Sequence, residues 1–97
     1  MFVIEDERHA ELHGQFATLE EALTELKRRA KIPWDHEPNC APCTNWRNCG
    51  RSYEVIEYDD SHTPWKRLRA VAVLDVSESG VQWSSGFEEM KAKSGQL

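Results

Sequence analysis

Thr18-Leu19-Glu20-Glu21-Ala22-Leu23-Thr24-Glu25-Leu26-Lys27-Arg28-Arg29-Ala30-Lys31 decides the fold, because its apolar residues keep one helical period from end to end. Thr18 and Glu21 make a capping box: the threonine oxygen accepts from the N–H three residues on, and the glutamate reaches back to the threonine N–H. Leu19, Ala22, Leu23, Leu26 and Ala30 then share one face. Glu20 and Glu21 stand at the positive end of the helix dipole, with Lys27, Arg28, Arg29 and Lys31 at the negative end. Glu25 and Arg29 form an i,i+4 pair worth roughly 0.3 kcal/mol. Pro33 stops the run, since the residue before a proline is pushed out of the α region. The spacing predicts a helix over 19–31 with a single apolar stripe, which needs a sheet to cover it.

The flanks supply that sheet. On the N-terminal side, Phe2-Val3-Ile4 reads as a short strand and 9–16 alternates Ala10, Leu12, Gly14 and Phe16 with polar residues, so the two can pair around Asp6-Glu7. On the C-terminal side, 52–58 is rich in β-formers and 59–64 is a turn cluster. Residues 65–76 form a long strand with Leu68, Ala70, Ala72, Leu74 and Val76 on one face. Ser77-Glu78-Ser79-Gly80 turns the chain back into a short strand over 81–84, and 87–93 has the makings of a helical turn or two. The expected fold is α+β: a small two-layer domain with a mostly antiparallel sheet of four to five strands. Its elements run β-β-α-β-β-β, with one main helix and a long Cys/Trp-bearing loop. The single domain is expected over 1–93, with 94–97 frayed.

The whole sequence fits that size. It has 97 residues, 12 basic against 17 acidic, and a net charge of −5, enough for one core and too little for two. No apolar run approaches the roughly 20 residues a bilayer span requires. Met1-Phe2-Val3-Ile4-Glu5-Asp6-Glu7 turns acidic at once, unlike a secretory signal, so a cytoplasmic location is expected. The acidity argues against nucleic acid as a partner, because that affinity comes from neutralising phosphates.

The stretch from 32 to 51 is long for a loop inside a compact domain, and loops of this length are commonly functional. Trp34 and Trp46 are costly to leave in water, so the loop is expected to be ordered and something must order it. One candidate is metal: His36, Cys40, Cys43 and Cys49 offer three thiolates and an imidazole within fourteen residues, a set that suits zinc. Against it, structural sites usually draw ligand pairs from separated segments. Cys40-Ala41-Pro42-Cys43 also has dithiol spacing, but nothing before Cys40 reads as the strand such chemistry needs. The plainest expectation is that the three thiols are inert and no cofactor is held.

A second use of the loop involves its aromatics and cations. Trp34 and Trp46 would shape a pocket and Arg47 and Arg51 would receive an anionic group. Arg51 has a structural alternative, pairing with Asp35, Glu37 or Glu54. Catalysis has thin support: His9, His13, His36 and His62 are scattered and no glycine-rich phosphate loop is present. The expected function is therefore a small interaction module, not an enzyme, with 34–51 as the recognition surface for a protein partner or a small anionic ligand. A thiol- or metal-dependent enzyme or a zinc-stabilised domain is the alternative, and a weak nucleic-acid binder the third reading.

Overall fold

The computed structural model describes residues 1–40 and 50–94. Seven elements follow in order: β1 (Phe2–Asp6), β2 (Glu11–Phe16), α1 (Leu19–Arg29), β3 (Arg51–Asp59), β4 (Lys66–Ser77), β5 (Gly80–Trp83) and α2 (Ser85–Ser94). The strands form one antiparallel sheet in the order β2-β1-β3-β4-β5.

The helix α1 forms as its sequence requires. Thr18 caps it, with both halves of the capping box in place. Ala22, Leu23 and Leu26 are fully buried on its inner face. Each leucine contributes about 1.5–3 kcal/mol of apolar burial. That face meets Ile4 of β1, Tyr53 and Val55 of β3, and Val73, Leu74 and Val76 of β4.

Three expectations change. First, in β2 the alternation is reversed over 11–13: Leu12 is 66% exposed, while Glu11 and His13 turn to Arg51. Second, α2 is a full ten-residue helix, not a turn or two, and it closes the same core: Met90 is completely buried and Phe87 packs beside it. A close backbone approach seats it, since a Cβ on Gly86 would lie 2.0 Å from the Ala72 carbonyl oxygen. Third, β4 does not keep one face along its length. The register runs Tyr53↔Leu74 then Glu54↔Ala72, and Glu57↔Arg69 then Tyr58↔Arg67, so β4 carries one extra residue at each step. A bulge resets the alternation. Leu74 and Val76 therefore share the helix-covered face with Val71, which packs on the core, and with Arg69, which reaches Met90 and Glu89 of α2. Leu68 is 51% exposed instead of buried.

On the face away from α1, Val3 and Ile56 lie opposite each other in β1 and β3 and are buried, outside the main core. No helix among the described residues is long and apolar enough to cross a membrane.

Candidate functional site

The approach to β3 is organised by a buried ionic network under the 33–40 segment. Its centre is Arg51, the first residue of β3. Strand period places Arg51 on the same face as Tyr53 and Val55, so its side chain enters the protein. It is 5% exposed. Nη1 donates to Asp6 at 3.0 Å and to Glu11 at 2.6 Å, Nε to the Pro38 carbonyl at 3.0 Å, and Nη2 to the Cys40 carbonyl at 2.7 Å. One guanidinium thus ties β1, β2 and the incoming loop together.

Asp6 is the buried anion beneath it. Its carboxylate also accepts from the backbone N–H groups of Ser52 and Arg8 and bonds His9. Burial alone would raise the Asp6 carboxyl, but the bond to His9, the Ser52 N–H, the His9 charge and the Arg51 hydrogen bond outweigh it and hold the group below the ordinary range. The hydrogen bond from Arg51 does the same for Glu11.

A second layer fastens the loop to α1. Asn39 is buried, and its Nδ2 donates to the carbonyls of Arg29 and Ile32, both at 2.8 Å. Its Oδ1 accepts from the Tyr53 hydroxyl at 2.9 Å. Arg29 lies over the Tyr53 ring and is held by Glu25, whose carboxyl is lowered to about 2 by Arg28 and then Arg29. His13 stands edge-on to Tyr53, between Arg29 and Arg51.

Asp6, Glu11 and His13 offer ligand atoms within 4.8 Å of one another. Arg51 Nη1 lies 3.0, 2.6 and 3.1 Å from those groups, so a metal ion would enter only by displacing the guanidinium. The arrangement supplies its own cation and works as a clamp.

The residues singled out from sequence fall in different places. Arg51 is at the centre of the clamp, paired with Asp6 and Glu11 instead of Asp35, Glu37 or Glu54. Its donors are committed, so capture of an external anion by Arg51 requires breaking the network. Trp34 is half-buried against the core. His36 is exposed, with Nε2 3.7 Å from Asp35, and its carbonyl accepts the Cys40 N–H. Cys40 is half-buried. Cys43, Cys49, Trp46 and Arg47 lie outside the described residues. Sequence reasoning passed over Asp6, Glu11, His13 and Asn39. Period two from Ile4 to Asp6 was the available signal for one of them.

Beside the clamp, Ala30, Ile32, Pro33, Trp34, Val76 and Val81 line a groove of about 280 Å³ along β5. A larger hollow over α1, about 570 Å³, is walled by Thr18, Glu21, Glu25 and Arg28, which the capping box and the Glu25–Arg28 pair already occupy. Comparison of the chain with family models, curated proteins and solved structures gave no match. The functional reading therefore rests on geometry.

The groove meets the sheet edge at Gly80 and Val81. Ser84 N–H donates to the Val73 carbonyl, in register with Leu74↔Trp83 and Val76↔Val81. Hydrogen-bonded and non-bonded pairs alternate along an antiparallel ladder, so Gln82 faces β4 while the backbone groups of Val81 and Trp83 point off the sheet. No backbone hydrogen bond to them occurs among the described residues.

Proposed function

We propose that this protein is an interaction module that binds an extended polypeptide segment by adding it as a strand to β5. The observation that carries the reading is the unguarded edge. Sheet edges are normally blunted by charge, proline or a bulge. The opposite edge, β2, has such guards: a register shift against β1, and Glu11 and His13 drawn into the clamp. The β5 strand Gly-Val-Gln-Trp is short but carries no charge, proline or bulge, and Val81 and Trp83 are 41% and 37% exposed.

Main-chain pairing would supply affinity and the groove would supply selectivity. Alternate side chains of the ligand would lie against Val81, Trp34 and Ile32 at one end and against the Trp83–Phe87 ring pair, 4.3 Å between centroids, at the other. Glu78 on the groove wall, the exposed Asp35 beside Trp34, and the net charge of −5 outweigh Lys31, so the ligand is an apolar-alternating segment flanked by basic residues. This keeps the Trp34 end of the loop as recognition surface and gives Arg51 the role of holding it.

A displayed library of short random peptides tests the reading. Selected peptides should alternate apolar residues between Lys or Arg flanks. Val81→Pro removes one outward N–H without touching the β4 ladder, and Trp34→Ala removes the groove wall. Each should weaken capture about tenfold, as loss of one hydrogen bond or one aromatic contact does. Leu12→Lys on the β2 edge should leave it unchanged. Failure to enrich any peptide, equal binding to both variants, or concentration-dependent pairing of the chain with itself would overturn the reading.

A further inference from the structure

His13 sits between the two arginines of the loop clamp. Five elements meet around it. From β2, Glu11 Oε1 lies 3.2 Å from Nε2. From α1, Arg29 Nη1 lies 2.9 Å from Nδ1 and Nη2 donates to the His13 carbonyl, with Glu25 behind it. From β3, Arg51 Nη1 is 3.1 Å from Nε2 and the Tyr53 ring packs edge-on. From β1, an Asp6 carboxylate oxygen lies within 4.8 Å of a His13 ring nitrogen and bonds Arg51, and Arg51 in turn holds the 33–40 segment.

One protonation state fits these neighbours. A neutral imidazole has one donor and one acceptor nitrogen. Nδ1 faces a guanidinium donor, so it is the acceptor; Arg51 Nη1 spends its two N–H bonds on Asp6 and Glu11, so Nε2 beside it carries the proton and donates to Glu11. Glu11 is thereby held on Arg51, and Arg29 on His13. A second proton on Nδ1 would point N–H at N–H across 2.9 Å and add a cation between two others.

We propose that His13 is an acid-sensitive latch: neutral, it keeps Arg29 and Arg51 in place, and on protonation it releases the Pro38–Cys40 segment from β3. The release follows from connectivity. Arg29 loses its acceptor at Nδ1 and keeps Glu25 and the His13 carbonyl, and its own carbonyl anchors Asn39, while Arg51, which bonds the Pro38 and Cys40 carbonyls, meets a new cation 3.1 Å away that competes with it for Glu11. Burial, then Arg51 and Arg29, move the His13 equilibrium below the ordinary histidine value, so the latch is closed at neutral pH. Asp6 and Glu11 stay ionised through that range.

The test uses the intact chain without any ligand, so it succeeds or fails independently of the peptide-binding reading. Imidazole and amide NMR spectra are recorded from about pH 8 to about pH 5, where histidine changes charge. The Cys40 amide and the Asn39 side-chain amide should titrate with the midpoint of the His13 ring. Protection of the Cys40 N–H should fall about tenfold, the lower end of what losing a hydrogen bond to a charged group costs. His13→Gln keeps an acceptor for Arg29 and a donor for Glu11 but cannot gain a proton, so it should hold the segment across the whole range. Two results overturn the proposal: a His13 titration that leaves 36–40 unmoved, or a response surviving in His13→Gln at the same midpoint, which would assign it to His9 or His36. Should His13→Gln not fold, agreement or disagreement of the two midpoints in the unaltered chain decides alone.

Discussion

Replacing Arg51 by alanine should be among the most damaging single changes in the chain. The substitution removes four donated hydrogen bonds, two to carboxylates and two to loop carbonyls. Breaking a buried ion pair by deleting one partner costs about 3–5 kcal/mol, because the surviving charge stays buried. Asp6 is fully buried, but it keeps the donors from Ser52, Arg8 and His9, so the cost falls at the lower end, about 3 kcal/mol. Domains of this size have roughly 5–10 kcal/mol of total stability, and 1 kcal/mol moves the midpoint by about 4–8 °C. Arg51→Ala should therefore melt at least about 12 °C lower, and Arg51→Lys, with three donors and no planar fork, should fall between the two. Urea unfolding followed by far-ultraviolet circular dichroism measures the loss. Hydrogen exchange should show the Cys40 amide losing protection while the α1 amides keep theirs relative to global stability. An anion-receptor role for Arg51 anticipates the opposite, weakened capture with a nearly unchanged melting temperature. A loss under about 1 kcal/mol with 36–40 still protected would refute the clamp.

Four further outcomes follow from particular contacts. Asn39→Ala strands the Arg29 and Ile32 carbonyls and the Tyr53 hydroxyl, and should cost about 1–3 kcal/mol by chemical unfolding. Gly86→Ala drives a Cβ to 2.0 Å from the Ala72 carbonyl, so α2 must shift and stability should fall by about 1–3 kcal/mol, read in the environment of Met90 by methyl NMR. Glu54 stands opposite Glu5, with Glu7 nearby and Arg67 no closer than 4.0 Å, and burial followed by Glu7 and Glu5 raises its carboxyl; Glu54→Gln should stabilise by about 0.5–1 kcal/mol at neutral pH, the gain shrinking as pH falls through the carboxylate range. Asp6, Glu25 and His13 are all held below their ordinary values, so the unfolded chain binds more protons than the folded one and stability should drop on acidification: first below the histidine range, then through the carboxylate range to about pH 2. Chemical unfolding at stepped pH checks both stages.

Local patterns made much of the fold legible. The capping box, the Leu19–Leu26 stripe and the Glu25–Arg29 pair all lie within one helix and are present as read. The five strands were legible from their β-formers and turns. The bulges were not, because an extra residue in β4 is fixed by its partner β3, and the run Leu68–Val76 alternates well enough to suggest one face throughout. The helix α2 was half-visible, since Phe87 and Met90 are the two apolar positions it offers the core and their burial depends on Gly86 lying against Ala72. The clamp was least legible. Its bonds join Arg51 to residues forty and more positions away, and a buried arginine looks like a surface one in a sequence. What orders the first part of the long loop is Arg51, Asn39 and Tyr53. The His36–Cys40 backbone turn belongs to that framework, so a chelator should leave protection of 36–40 unchanged even if metal is held further along the chain.

Amide hydrogen exchange at Val81 and Trp83 measures most directly whether β5 accepts a strand. With a selected peptide bound, these two outward N–H groups should slow by about tenfold or more while Gln82, already bonded to β4, changes little. Slowing confined to β2, or binding that leaves both amides at their free rates, would contradict it.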